Sequence, residues 1–154
     1  MIKITLNDTQ VVNALQKIAS QLEQPRRLYG ILGETLKKIH TARFKAEQEP
    51  DGKHWQPLAD STLALKRKRG KSTKILRQDG YLADKTAYNV LNDGIEFGSA
   101  EIYARLHQFG GNAGRGKKVT IPERPWLGAG NKDEQLLLRK AEHHLSQIIS
   151  RMGK

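Results

Sequence analysis

The sequence contains no cysteine. Disulfides, thiolate metal sites and cysteine nucleophiles are therefore excluded, and folding in a reducing cytosol is the expectation. No apolar run reaches the roughly 18 residues that a membrane-spanning helix needs, so no membrane contact is expected. The opening MIKITLNDTQ lacks the basic-then-apolar layout of a secretory signal. Aromatic residues are scarce (two Trp, four Tyr and three Phe), which leaves few rings to stack single-stranded bases. Catalytic motifs are missing as well: there is no H-E-x-x-H, no P-loop and no G-x-S-x-G. His143 and His144 would point about 100° apart on a helix, whereas paired metal ligands sit three or four residues apart. His40 and His54 stand alone. Asp51, Asp79, Asp84 and Asp93 each lie beside turn residues, where Asp is common for backbone reasons. A metal-dependent nuclease would need several carboxylates to converge. The expectation is no metal, no cofactor and no enzymatic activity.

Acid is also in short supply: 16 acidic residues face 27 basic ones, for a net charge of +11. The excess is concentrated. Lys66, Arg67, Lys68, Arg69, Lys71 and Lys74 place six positive charges in nine residues with no acid among them. Two readings stay open for this segment. It contacts nucleic acid or another polyanion, or it is a solvated basic loop.

What is present fits one domain over residues 1–154. Ile2 to Leu6 alternate as a short strand, and Asn7 or Asp8 caps a helix carrying Val11, Val12, Leu15, Ile18 and Leu22, closed by Pro25. A second helix runs from about Arg26 to Glu47, with an apolar stripe of Leu28, Ile31, Leu32, Leu36 and Ile39. Arg27, Lys37, Lys38 and Arg43 form its wet, basic face. Pro50-Asp51-Gly52 ends the helical section, and Trp55 and Leu58 anchor an irregular stretch. Asp60 caps a short helix through Leu65 that runs into the basic segment. Ile75, Leu76 and Leu82 flank a turn at Gly80. Thr86 to Leu91, the turn Asn92-Asp93-Gly94, and Ile95 with Phe97 spell a β-hairpin. A short helix covers Ile102 to Phe109. The glycine-rich segment Gly110 to Gly116 must be flexible or adopt positive φ, and Val119 with Ile121 forms a strand ended by Pro122. Asn131 caps a long last helix, with Glu134 three residues on as in a capping box. Its stripe is Leu136, Leu137, Ala141, Leu145, Ile148, Ile149 and Met152. The fold class is α+β: an N-terminal helix pair, a small antiparallel sheet with a β-hairpin, and a long C-terminal helix.

Four motifs in one order carry a resemblance. They are Pro50-Asp51-Gly52-Lys53-His54-Trp55-Gln56-Pro57-Leu58, then Ile75-Leu76 with Gly80-Tyr81-Leu82, then Tyr103-Ala104-Arg105-Leu106-His107-Gln108-Phe109-Gly110-Gly111, then Ile121-Pro122-Glu123-Arg124-Pro125-Trp126-Leu127-Gly128. The set resembles the phage virion morphogenesis family of Mu-like phages and prophages, which includes tail-completion proteins. The likeness spans about residues 44–128, with flanking helices at about 8–47 and 132–152. Glu123 stands where a small residue is expected, and Trp126 where Phe is commoner. The resemblance implies a non-enzymatic structural protein acting in tail completion or head–tail joining. It also implies a homo-oligomeric ring, other phage tail or neck proteins as partners, and a fold similar to phage neck and tail-terminator proteins. The place of action would be the host bacterial cytoplasm during assembly and then the virion.

The candidate assembly contacts follow. Gly110, Gly111 and Arg115 belong to a loop that either stays a free hairpin-like loop or orders against a neighbouring subunit. Arg124, Trp126 and Leu127 form an arm in which Trp126 either plugs an interface or caps its own core. His107 reads as a structural residue that donates a hydrogen bond, since no nucleophile or co-ligand stands nearby. The alternative function is sequence-independent nucleic-acid binding through Lys66, Arg67, Lys68, Arg69, Lys71 and Lys74, by phosphate contacts.

Overall fold

The computed structural model describes residues 25–152. The strand at Ile2–Leu6 and the helix from Asn7 to Leu22 lie outside the described residues, as do the side chains of Ile149 and Met152. In chain order the elements are α1 (Pro25–Ala46), α2 (Asp60–Lys68), α3 (Tyr81–Asp84), β1 (Ala87–Val90), β2 (Ile95–Gly98), α4 (Ala104–Phe109), β3 (Gly111–Ala113), a 3-10 turn (Arg115–Lys117), β4 (Val119–Ile121) and α5 (Asn131–Met152). The architecture is α+β, and the described residues hold two separate two-stranded antiparallel sheets.

Pro25 opens α1, where a proline at the first helical position loses no hydrogen bond. Leu28, Leu32, Leu36, Ile39 and Phe44 recur at helical spacing and are buried. The helix stops at Glu47, whose φ of 55° is left-handed. The Gln48 amide then donates back to the Arg43 carbonyl at 3.3 Å, closing a Schellman-type end. The Pro50-Asp51-Gly52 turn forms as the sequence indicates: the Gly52 amide donates to the Glu49 carbonyl at 2.9 Å, and Asp51 Oδ1 accepts from the Lys53 amide at 3.1 Å.

The expected β1–β2 hairpin forms, with Tyr88 opposite Phe97 and Val90 opposite Ile95. It packs on α1 at Gly33, where a Cβ would overlap the Tyr88 ring. The absence of a side chain there lets the strand approach the helix. Tyr88 reaches over it to donate to Glu34 Oε1 at 2.9 Å.

Two helix starts differ from expectation. Ala59, not Asp60, occupies the α2 cap position, and the helix runs on through the basic residues to Lys68. At α5, Gly130 takes the cap position expected of Asn131. Its amide donates to Asp133 Oδ2 at 2.9 Å, and its carbonyl accepts from the Glu134 amide at 2.9 Å. Asp133 thus plays the reach-back part expected of Glu134. A Cβ at position 130 would collide with the Pro50 carbonyl oxygen, so only glycine lets the 50–52 turn lie against the start of α5. α5 packs along α1 through Leu137 and Ala141, and the buried apolar residues form one connected cluster.

Candidate functional site

The first and third motifs meet at segment 124–128 of the fourth. This segment is neither helix nor strand, yet Arg124, Trp126 and Leu127 are buried. Buried irregular backbone needs hydrogen-bond partners from elsewhere. Side chains supply them. The Pro125 carbonyl accepts from Trp55 Nε1 at 2.8 Å, the Trp126 carbonyl from Arg43 Nη1 at 2.8 Å, the Leu127 carbonyl from Gln108 Nε2 at 3.2 Å, and the Gly128 carbonyl from Arg43 Nη1 at 2.9 Å. Gln108 Oε1 accepts both the Trp126 and Leu127 amides at 3.0 Å. Arg124 donates to the Gln56 and Pro57 carbonyls at 2.8 and 3.1 Å, and its amide to the His107 carbonyl at 2.7 Å.

Around this ladder sits a ring cluster. Phe44 lies 5.6 Å from Trp55 and 5.9 Å from Trp126, centroid to centroid, and His40 lies 4.4 Å from Phe97. Trp126 Nε1 donates to the Ala104 carbonyl at 3.1 Å. Each indole therefore buries its rings and still satisfies its single donor.

Arg43 was expected on a wet face, but it is buried and is the hub of the ladder. Its Nη2 pairs with Asp133 at 2.7 Å. Burial lowers its pKa and the Asp133 charge opposes that shift. His40 is wholly buried, and its Nδ1 lies 2.8 Å from the Leu36 carbonyl, which accepts only, so that nitrogen carries the proton. Nε2 then accepts from the Gly128 amide at 3.4 Å. Burial, and secondarily the Arg43 charge, push its pKa down to about 4, so it is neutral at pH 7.

The candidate residues fall into two groups. Arg124, Trp126 and Leu127 are held in this chain's own core. The β3–β4 hairpin, with Gly111 and Arg115 exposed, projects from the end of α4. Gly110, at its base, has a φ of 69°, and a Cβ there would press on the Glu123 amide. His107 differs from expectation: its carbonyl serves Arg124 and its ring meets Tyr103 edge-on at 5.9 Å, but its buried Nδ1 makes no hydrogen bond.

The basic segment also divides. Lys66 is buried and donates to the Lys74 carbonyl at 2.9 Å, and Lys71 pairs with Asp79 at 2.6 Å. Arg67, Lys68, Arg69 and Lys74 remain exposed, with no ion pair among the described residues. No group of three or more His, Asp or Glu able to hold a metal ion occurs among the described residues, and none of their helices is long and apolar enough to cross a membrane.

Sequence reasoning missed Arg43 and Gln108. The signal for Gln108 was its place inside the third motif. For Arg43 the signal was its spacing: it stands four residues after Ile39 and seven after Leu36, on the apolar stripe itself.

The model of the phage virion morphogenesis family matches residues 6–146. The chain belongs to that family. Two relatives agree with the assignment. The chain is 29% identical over 150 residues to the Mu-like prophage FluMu G protein 2 of Haemophilus influenzae, covering 97% of this chain and 99% of the relative. It is 30% identical over 109 residues to the putative capsid assembly protein G of Escherichia phage Mu, covering 69% of this chain and 70% of the relative. No solved structure matches the chain. The family's work is phage assembly, and within this chain the first and third motifs supply donors, acceptors and a ring to the buried segment of the fourth.

Proposed function

We propose that this protein is a non-enzymatic subunit of the phage particle that completes the tail or joins head to tail, by copies packing side by side in a ring. The observation that carries the reading is the conjunction of family membership with a chemically closed core. Trp55, Gln108 and Arg124 are occupied in holding segment 124–128, while the apolar side chains left at the surface include Ile102 at 96% exposure, Phe109 at 62% and Val119 at 55%. Large exposed apolar groups favour a protein interface over a catalytic cleft. Other tail or neck proteins of the particle would be the remaining partners. The protein would assemble in the host cytoplasm and remain in the virion.

Light scattering across concentration and salt tests this. The expected result is a monomer giving way to one defined ring mass as concentration rises. A protein that stays monomeric at every concentration would overturn the reading. Hydrogen exchange in Gly110–Gly116 should slow on assembly, and unchanged fast exchange in the ring counts against that loop as a contact.

The exposed quartet Arg67, Lys68, Arg69 and Lys74 favours a second reading, sequence-independent binding of duplex DNA through phosphates. Tight binding by the monomer, falling steeply with salt, would support it. Indifference to DNA at moderate salt would remove it.

A further inference from the structure

Two hairpins of this chain carry opposite charge. From Thr86 to Ala104, around β1–β2, the charged residues are Asp93, Glu96 and Glu101, with no Lys or Arg. From Gly110 to Pro122, around β3–β4, they are Arg115, Lys117 and Lys118, with no Asp or Glu. Glu101 is engaged with Lys85 at 3.6 Å. Asp93, Glu96, Arg115, Lys117 and Lys118 make no ion pair among the described residues. The two hairpins belong to separate sheets, and no ion pair joins them among the described residues.

The basic hairpin is also poorly supported by its own fold. Its strands are three residues long, and a two-stranded ribbon standing alone is marginal in water. Every residue from Gly114 to Thr120 is exposed, and Val119 on the ribbon and Phe109 at its base leave apolar surface beside the three cations. A DNA backbone offers charge but no apolar partner for Phe109 and Val119, so a protein surface fits this face better. The matching acidic surface is already present on the same chain.

We infer that the β3–β4 hairpin of one copy packs against the β1–β2 hairpin of a second copy, with Arg115, Lys117 and Lys118 facing Asp93 and Glu96. The contact joins two different surfaces, so it propagates head to tail and closes into a ring when the rotation permits. It deepens the assembly reading and rests on it. The charges set direction and partner choice, while Phe109 and Val119 supply the apolar part of the contact.

Charge exchange between two variants tests this. One carries Arg115→Glu, Lys117→Glu and Lys118→Glu, and the other carries Asp93→Lys and Glu96→Lys. Circular dichroism melts establish that both fold; where a reversal lowers the melting temperature, Gln at the same positions serves in the single-variant comparison and salt dependence of wild-type assembly replaces the mixing step. Each variant alone is expected to need a concentration about tenfold higher or more for half assembly. An equimolar mixture should recover assembly toward the wild-type value, because a doubly acidic copy and a doubly basic copy pair head to tail; they alternate throughout a ring of even copy number, and a ring of odd copy number keeps one mismatched contact. Wild-type assembly should weaken with rising salt.

If the wild type assembles and the variants match it, this contact is overturned and the ring reading stands. If each variant fails and the mixture also fails, the pairing of these two hairpins is overturned. If the wild type never assembles, both readings fall together. If the first variant assembles normally but loses affinity for duplex DNA, the hairpin belongs to nucleic acid and the inference is overturned.

Discussion

Arg43 and Asp133 stand 90 residues apart in the chain and meet at 2.7 Å, with the arginine side chain almost completely buried. The pair joins α1 to the first turn of α5. The same guanidinium holds the Trp126 and Gly128 carbonyls, so one side chain ties both helices to the segment between β4 and α5.

Removing one partner of a buried ion pair leaves an uncompensated charge. Asp133→Ala and Arg43→Ala should each destabilise the fold by about 3–5 kcal/mol. The double substitution should cost less than their sum. Urea denaturation of the four proteins checks this. Additive losses would show that the two side chains act independently.

His40 predicts a pH dependence. Its folded pKa of about 4 lies below the ordinary 6.5, so the unfolded chain binds its proton first as pH falls. Stability should be unaffected by this group above pH 6.5 and decline between 6.5 and about 4, by about 3 kcal/mol in all. Burial, with the Arg124 charge second, lowers the His107 pKa and adds to the same trend. Stability curves for the wild type and His40→Asn, taken from pH 7.5 to 4.5, should differ in slope. Identical slopes would mean that another group carries the effect.

Gln108 has no hydrophobic replacement that keeps its bonds. Gln108→Leu leaves the Trp126 and Leu127 amides and the Leu127 carbonyl without partners, at about 1–3 kcal/mol for each buried group that water cannot reach. Trp126→Ala removes the indole from the ring cluster and should cost about 3–5 kcal/mol. Equilibrium unfolding measures both. A Trp126→Ala protein of wild-type stability would contradict the intramolecular role of this ring.

At Gly33 the expected effect comes from added volume. Gly33→Ala pushes a methyl group into the Tyr88 ring and should destabilise by about 1–3 kcal/mol, although alanine is the better helix former. Gly30, three residues away in the same helix, has open space around it among the described residues. Gly30→Ala should be neutral or stabilising, by up to about 1 kcal/mol. Thermal melts of the two variants separate volume from helix propensity.

Within the basic segment, position decides the outcome. Lys66→Ala should lower stability, since its ammonium bonds the Lys74 carbonyl and its stem is buried. Changing Arg67, Lys68, Arg69 and Lys74 to Ser together should leave the melting temperature nearly unchanged, within about 0.5 kcal/mol per site. Any affinity for duplex DNA that resides in this segment should fall with that quadruple change, read by fluorescence anisotropy.

The sequence made the locally specified elements legible. The β1–β2 hairpin follows from Asn92-Asp93-Gly94 between alternating residues, and α1 and α5 follow from their apolar spacing, because the information lies within a few residues. The cap of α5 shifted by one position because Gly130 is required by the nearby Pro50 carbonyl, a contact between distant parts of the chain. The basic run gave charge but not geometry, so it could not show that Lys66 and Lys71 bond to neighbours. Trp126 was open between two readings for a related reason. Its burial depends on partners from α1, the Trp55 segment and α4, and no local pattern announces that they meet. Arg43 was misjudged because an arginine ordinarily faces water, although its spacing sets it on the apolar stripe, and the carbonyls of 126 and 128 with Asp133 make its burial tolerable.

The dispersal of the ladder's partners has a consequence for synthesis on the ribosome. His40, Arg43, Trp55 and Gln108 all leave the exit tunnel before segment 124–128, while Asp133 follows it. A nascent chain paused just after Gly128 holds every donor that the segment needs but lacks the carboxylate that balances Arg43. The aromatic cluster and the ion pair are thus separated in time by only a few codons, and the start of α5 completes the charge balance of a site whose other parts have waited for most of translation.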